Sequence, residues 1–247
     1  MLEMLKIKQL PAEIERMRTQ VTDQLLKKSS NINSTHLTAI STSDLQLLFN
    51  LYDEVFFGNW FRDNYKGKMK FSLSRKMTRS AGKTMCPKNI GTIRPEELVL
   101  EIRMGIDFFL LNEQSGKSNT VCGLKANSSL EALQLVFEHE LCHVIEFLLF
   151  HKSSCKYARF KTMANNVFGH TDSYHKLPTQ KQIAGKQYGF KIGDTVSFEY
   201  KQKRLTGLLY SIHKRAAVLV PDKNGVLVDK RGIRYTKYYV PLPKLNV

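Results

Sequence analysis

Residues 129–150, SLEALQLVFEHELCHVIEFLLF, constrain the fold more than any other stretch of the chain. Leu130, Leu133, Phe137, Leu141, Val144 and Leu148 recur at helical spacing down one side, and Ser128 with Glu131 has the spacing of a capping box. The pattern predicts a long buried helix from Ser129 to Phe150. Within it stands H-E-x-x-H: His139, Glu140 and His143. Residues four apart on a helix stack one turn above each other, about 6 Å along the axis. Two imidazoles so placed can close on one cation, and the glutamate between them reaches a water on the same side. Zn2+ acidifies such a water, and Glu140 is positioned to take its proton and pass it to a leaving amine.

Two imidazoles do not complete a zinc site. If the helix runs to Phe150, His151 lies about 12 Å further along the axis than His143. A Zn–N bond is only about 2 Å, so His151 is out of reach. Cys155 follows HKSS, which leaves the chain room to reverse, and a thiolate is an ordinary zinc ligand. Cys155 is therefore the expected third ligand, with His170 and His175 as alternatives, and Lys156 beside it should point away from a dication.

Around this helix the chain reads as α+β. Residues 11–28 open on Pro11 as a helix, SSNINSTHLTAIS is a polar linker, and a second helix begins near Ser43. Its Leu45, Leu48, Phe49, Tyr52 and Phe56 share one face, and Gly58 ends it. KMKFSLS (68–74) and LVLEI (98–102) read as strands, NEQSGKSN (112–119) as a loop, and ARFKTMANNVFGH as a further helix. After His175 the texture changes. Short β segments recur about every ten residues: DTVSFEY, LTGLLYSI, AAVLV, GVLV and RYTKYYV. That spacing predicts a small all-β barrel or sandwich. The expected organisation is a helical extension over 1–40, a catalytic domain over 41–175, a linker over 176–186 and a β domain over 187–247.

Net charge is +16, unevenly spread: residues 176–247 carry 15 Lys and Arg against 4 Asp and Glu. A basic module joined to a near-neutral one suggests a polyanion as partner. Lys201, Lys203, Arg204, Lys214 and Arg215 are the candidate phosphate contacts. Tyr200, Tyr210, Tyr235, Tyr238 and Tyr239 lie nearby, most of them expected to fill the barrel core and edges. No stretch has the roughly 18 apolar residues that a membrane span needs. The start MLEMLKIKQLPAEIERMRTQ lacks the pattern of a signal peptide, and four irregularly spaced cysteines favour a reducing compartment. The expectation from these features is an intracellular protein with no membrane partner.

The order of LYDEVFFGNWF, FSLSRKMTRSAGKTM, LQLVFEHELCHVIEF and RFKTMANNVFGHTDSYH resembles SprT-like metallopeptidases over about residues 43–175. The resemblance implies a zincin-like fold, a nuclear or otherwise DNA-associated location, and a zinc protease that binds DNA, with single-stranded character, and digests proteins crosslinked to it. His139 and His143 then match metal ligands and Glu140 the catalytic acid. The third ligand of such proteins is usually a His followed by Gly, four residues before an aromatic; counting back from Phe160, that place holds Lys156 and Tyr157. This departure leaves open a Cys ligand one position away, a relocated ligand, or a weakened site in a protein that only binds nucleic acid. Residues 187–247 are similar to SH3-like or Tudor-like barrels, through YGFKIGDTVSFEYKQKRLTGLLYSIHKRAAVLV; such barrels bind nucleic acid or peptides.

Overall fold

The computed structural model describes residues 6–110, 119–177, 188–213 and 215–246. It divides into two compact units, residues 1–177 and 178–247. Of the loop expected over 112–119, residues 112–118 lie outside the described residues and Asn119 belongs to a strand; most of the expected linker also lies outside them. The part of that linker at Lys176 belongs to a strand that pairs with Thr120.

In the first unit, helices α1 (Pro11–Lys28), α2 (Thr42–Phe57), α3 (Trp60–Asn64), α4 (Asp107–Leu110), α5 (Ser129–Phe150) and α6 (Ala158–Phe168) pack with two small sheets. One sheet holds β1 (Lys68–Ser74), β2 (Gly82–Met85) and β3 (Val99–Gly105) in the order β1-β3-β2, with β1 parallel and β2 antiparallel to β3. On β3, Leu100, Ile102 and Met104 alternate into the core, the two-residue period of a strand with one buried face. The other sheet holds β4 (Asn119–Val121), β5 (Leu124–Ala126) and β6 (His175–Lys176), in the order β5-β4-β6.

Helix α5 is buried along nearly its whole length, and its neighbours explain why. Phe137 meets Tyr52 of α2 and Phe71 of β1, while Phe168 at the end of α6 stacks among Tyr52, Phe56 and Phe57. A helix enclosed in this way needs apolar residues on more than one face. Ser128 caps it by accepting from the Glu131 amide, but the expected box is only half present. Glu131 instead accepts from the Asn127 amide, one residue earlier. Helix α2 begins earlier than expected, on Ser41: the Ser41 hydroxyl accepts from the Asp44 amide and Asp44 accepts from the Ser41 amide. The polar segment between α1 and α2 is no free linker. Ile32 and Leu37 are buried in the core, and the Leu37 amide donates 2.6 Å to Ser129 Oγ.

The second unit is a five-stranded antiparallel sheet of β7 (Thr195–Tyr200), β8 (Lys203–Ile212), β9 (Ala216–Pro221), β10 (Leu227–Val228) and β11 (Arg234–Val240), in the order β10-β11-β9-β8-β7. After β11 a 3-10 turn at Leu242–Lys244 brings Asn246 against Ser197, with backbone bonds of 2.8 and 2.9 Å. Asn246 thus pairs with the outer edge of β7 at one position, Ser197. Val196, Phe198, Leu209, Val218, Val240 and Leu245 form its core.

Candidate metal centre

Helix α5 runs unbroken past both histidines, so His139 and His143 share one face. Their Nε2 atoms lie 3.2 Å apart. Two nitrogens on one tetrahedral zinc, each with a bond of about 2 Å, stand about 3.3 Å apart. The separation fits a single cation. Helix α6 returns against this face, and Phe160 packs on both rings, with centroids 4.9 Å from His139 and 4.5 Å from His143.

The helix ends at His151, whose left-handed backbone (φ 57°) turns the chain back. The side chain of His151 is exposed, at the far end of the helix from the pair. The reversal brings Cys155 into one group with His139 and His143, in which a donor atom from each lies within 4.8 Å of the others. Lys156 is exposed. Two nitrogens and a sulfur form a donor set that suits zinc.

Glu146 organises this reversal. Its buried carboxylate accepts from Ser153 Oγ (2.7 Å), the Ser154 amide (3.0 Å) and Arg159 Nε (2.5 Å). Because Ser153 Oγ–H is given to Glu146, its oxygen accepts from His143 Nδ1–H at 2.6 Å. That hydrogen bond fixes the tautomer of His143 and leaves the Nε2 lone pair facing His139. One carboxylate therefore orients the His143 ring, through Ser153, and holds the loop that carries Cys155.

Glu140 is buried, and β2 covers it. Thr84 Oγ1 donates 2.7 Å to Glu140 Oε2 and lies 3.1 Å from its backbone oxygen. Burial pushes the Glu140 carboxyl up to about 7, against hydrogen bonds from Thr84 that lower it. Gly82 permits this approach: a Cβ there would stand 2.6 Å from Glu140 Oε1 and 2.8 Å from Val136 Cγ1. The glycine of TRSAGKT thus has a steric reason that composition alone does not supply.

On the other side of α5, Glu138 anchors a second polar cluster. It accepts from Arg18 through Nε and Nη2 (both 2.7 Å), from Tyr52 Oη (2.8 Å) and from His170 Nε2 (2.8 Å). Burial alone would raise its carboxyl, but the Arg18 charge and the bonds from His170 and Arg18 hold it below the ordinary 4.5. His170, an alternative third ligand from sequence, is not in the group with His143. It forms a different group with Cys122 and His139. His175, the other alternative, begins β6 and pairs with Val121.

Of the expected nucleic-acid residues, Lys201, Lys203 and Arg204 lie together at one turn, and Arg215 does not join them. Lys201 sits in the tight β7–β8 turn, with Lys203 and Arg204 just beyond it, whereas Arg215 lies in the turn at the other end of β8. Ten residues of strand separate the two ends by about 30 Å. Lys214 lies outside the described residues. Arg204 is turned onto the sheet, donating from Nε and Nη2 to Ser197 Oγ. The tyrosines also depart from expectation: Tyr200, Tyr210 and Tyr239 are 45%, 53% and 64% exposed, with Lys237 Nζ 5.0 Å from the Tyr210 ring.

Sequence reasoning missed Gly82, Thr84, Cys122, Glu138, Glu146 and Ser153. The signal for the two glutamates was available, since an acid on a helix enclosed on all sides must find a partner. The others depend on contacts distant in sequence.

No protein-family model, no curated protein and no solved structure matches this chain. What stands is an α+β protein with a separate C-terminal antiparallel sheet and a cluster of metal-capable side chains on its central helix.

Proposed function

We propose that the first unit is a zinc-dependent endopeptidase of the SprT-like kind, held at His139, His143 and Cys155, with Glu140 as its general base and acid. The observation that carries this reading is the 3.2 Å approach of the two Nε2 atoms one turn apart, with Cys155 in the same group and Glu140 on the helix between them. A bound zinc would supply Lewis acidity toward a water and a peptide carbonyl. The residues supply the rest. Glu140, held by Thr84, accepts a proton from the attacking water and returns it to the leaving amine. Ser153 and Glu146 keep His143 in its ligating tautomer, and Phe160 closes the far side of both rings against water. Strand β2 is an edge of its sheet beside Glu140, so its outer backbone groups are suited to receive an extended substrate segment.

The second unit is read as an SH3-like barrel that brings the peptidase to DNA, and the substrates as proteins bound or crosslinked to DNA in the compartment that holds it. The 3-10 turn and the pairing of the chain end with the first strand support the barrel, and the local charge supports the polyanion. Among the described residues no helix is long and apolar enough to cross a membrane.

Glu140→Gln keeps shape and hydrogen bonding but removes the base. Zinc content should remain at wild-type level while cleavage of a DNA-bound protein is lost. A variant that still cleaves removes Glu140 from the reaction. A wild-type chain that neither binds zinc nor cleaves, yet binds DNA, supports the rival reading of a nucleic-acid-binding protein with an inactive domain.

A further inference from the structure

We propose that Cys122, His139 and His170 form a second, inner metal position for a soft closed-shell (d10) cation, on the opposite nitrogen of the His139 ring from the catalytic one. All three side chains are buried, and a donor atom from each lies within 4.8 Å of the others. Cys122 Sγ stands 3.7 Å from His139 Nδ1. A sulfur and a nitrogen on one tetrahedral zinc-like ion, with bonds of about 2.3 and 2.0 Å, stand about 3.5 Å apart.

The decisive group is His170. Its Nε2–H is given to Glu138, which Arg18 and Tyr52 hold in turn. A metal-ligating histidine characteristically gives its other ring N–H to a fixed carboxylate, which orients the ring and makes it more basic. The lone pair of the neutral ring is then on Nδ1. That atom is buried and has no hydrogen-bond partner among the described residues. Leaving such an atom unmatched costs free energy, and a cation would offset it.

The backbone favours the same conclusion. Cys122 and Gly123 form the two-residue turn between β4 and β5, with φ of 52° and 81°. Asn or Gly is the favoured residue at that first position, and a cysteine there costs strain. The turn is also tied to the segment after His170: the Cys122 oxygen accepts from the Thr171 and Asp172 amides, and its amide donates to the Tyr174 oxygen. Cys122 and His170 are thereby held in one register.

One thiolate and two imidazoles with no access to water make a closed, non-catalytic position of the kind that soft d10 ions prefer. A neutral imidazole has only one lone pair. A cation on His139 Nδ1 therefore leaves a proton on Nε2, directed at the outer position. The two positions compete for one ring, and filling the inner one would switch off the outer. Only this competition rests on the proposed peptidase reading; the inner position stands without it.

The test uses Cd2+ as probe on the full chain in which His143→Ala and Cys155→Ser have removed the outer position. One equivalent of Cd2+ should bind with a thiolate-to-cadmium charge-transfer band, and adding Cys122→Ser should abolish both. A background variant with a wild-type circular-dichroism spectrum but no such band overturns the proposal. So does a band that survives Cys122→Ser. If the background variant does not fold, cadmium NMR of the otherwise intact chain decides. A resonance lost with Cys122→Ser and kept with Cys155→Ser supports the inner position, and a spectrum unchanged by Cys122→Ser overturns it. Because none of these readouts is cleavage, their failure is distinct from failure of the peptidase reading.

Discussion

The surroundings of α5 and the C-terminal sheet handle polar groups in opposite ways. Among the described residues, Glu138, His139, Glu140, Glu146 and His170 are all buried on or against α5, whereas the sheet buries a single polar side chain, Ser197. The helix holds its acids inside and satisfies each with named donors. The sheet keeps an apolar interior and carries its charge outside. Buried polar groups cost stability unless they are fully matched, and their concentration around one helix is what the proposed chemistry draws on. A solvated basic exterior is inexpensive to keep and suits long-range attraction of a polyanion.

This contrast breaks most visibly at Glu138. Glu138→Ala leaves Arg18 facing a buried gap and should cost about 3–5 kcal/mol in chemical denaturation of the first unit. The sign with pH follows from its depressed carboxyl. The contribution is complete above the ordinary 4.5 and is lost as pH falls through the lower folded value, so the lead of wild type over the variant should shrink in acid. A variant as stable as wild type at neutral pH would mean that the buried cluster is not held together as described.

A smaller effect, confined to chemistry, is expected at Gly82. Gly82→Ala places a methyl group against Glu140 and should lower cleavage about 100-fold, a cost comparable to misplacing a reacting group by about 1 Å. Zinc content should stay unchanged, because His139, His143 and Cys155 are not displaced. Loss of metal together with activity would show that β2 supports the ligands as well as the base.

The smallest effect belongs to the sheet. Ser197→Ala removes the acceptor for Arg204 and should cost about 1 kcal/mol, measured by chemical denaturation of the second unit. With Arg204 released from that bond, DNA affinity should hold or rise, and the salt dependence of binding should steepen slightly. A cost matching that at Glu138 would erase the distinction between the two regions.

Elements with strong local periodicity were legible before the structure. β1 spans Lys68–Ser74 as its alternation predicts, and α5 spans Ser129–Phe150 as its caps and apolar stripe predict. Their information lies within one segment. The same holds for His139, Glu140 and His143, which share a helix face. Cys155 could be reasoned toward only because a helix of known length must end and turn. Cys122 and Glu146 were not legible, since each gains meaning from a residue on another element. The placement of the basic residues was not legible for a related reason: residues at the two ends of a ten-residue strand are not neighbours in space.

The Arg18 contacts also bear on when the first unit can close during synthesis. Arg18 reaches 120 positions along the chain to Glu138 and 150 positions to the Phe168 oxygen. During synthesis at about 5–20 residues per second, the first helix would wait on the order of ten seconds for the partners it clamps. The helix that carries His139 and His143 is therefore secured only after α6 has left the ribosome. On the proposed peptidase reading, a nascent chain would carry no half-built site, and hydrolytic competence would arrive in one late step.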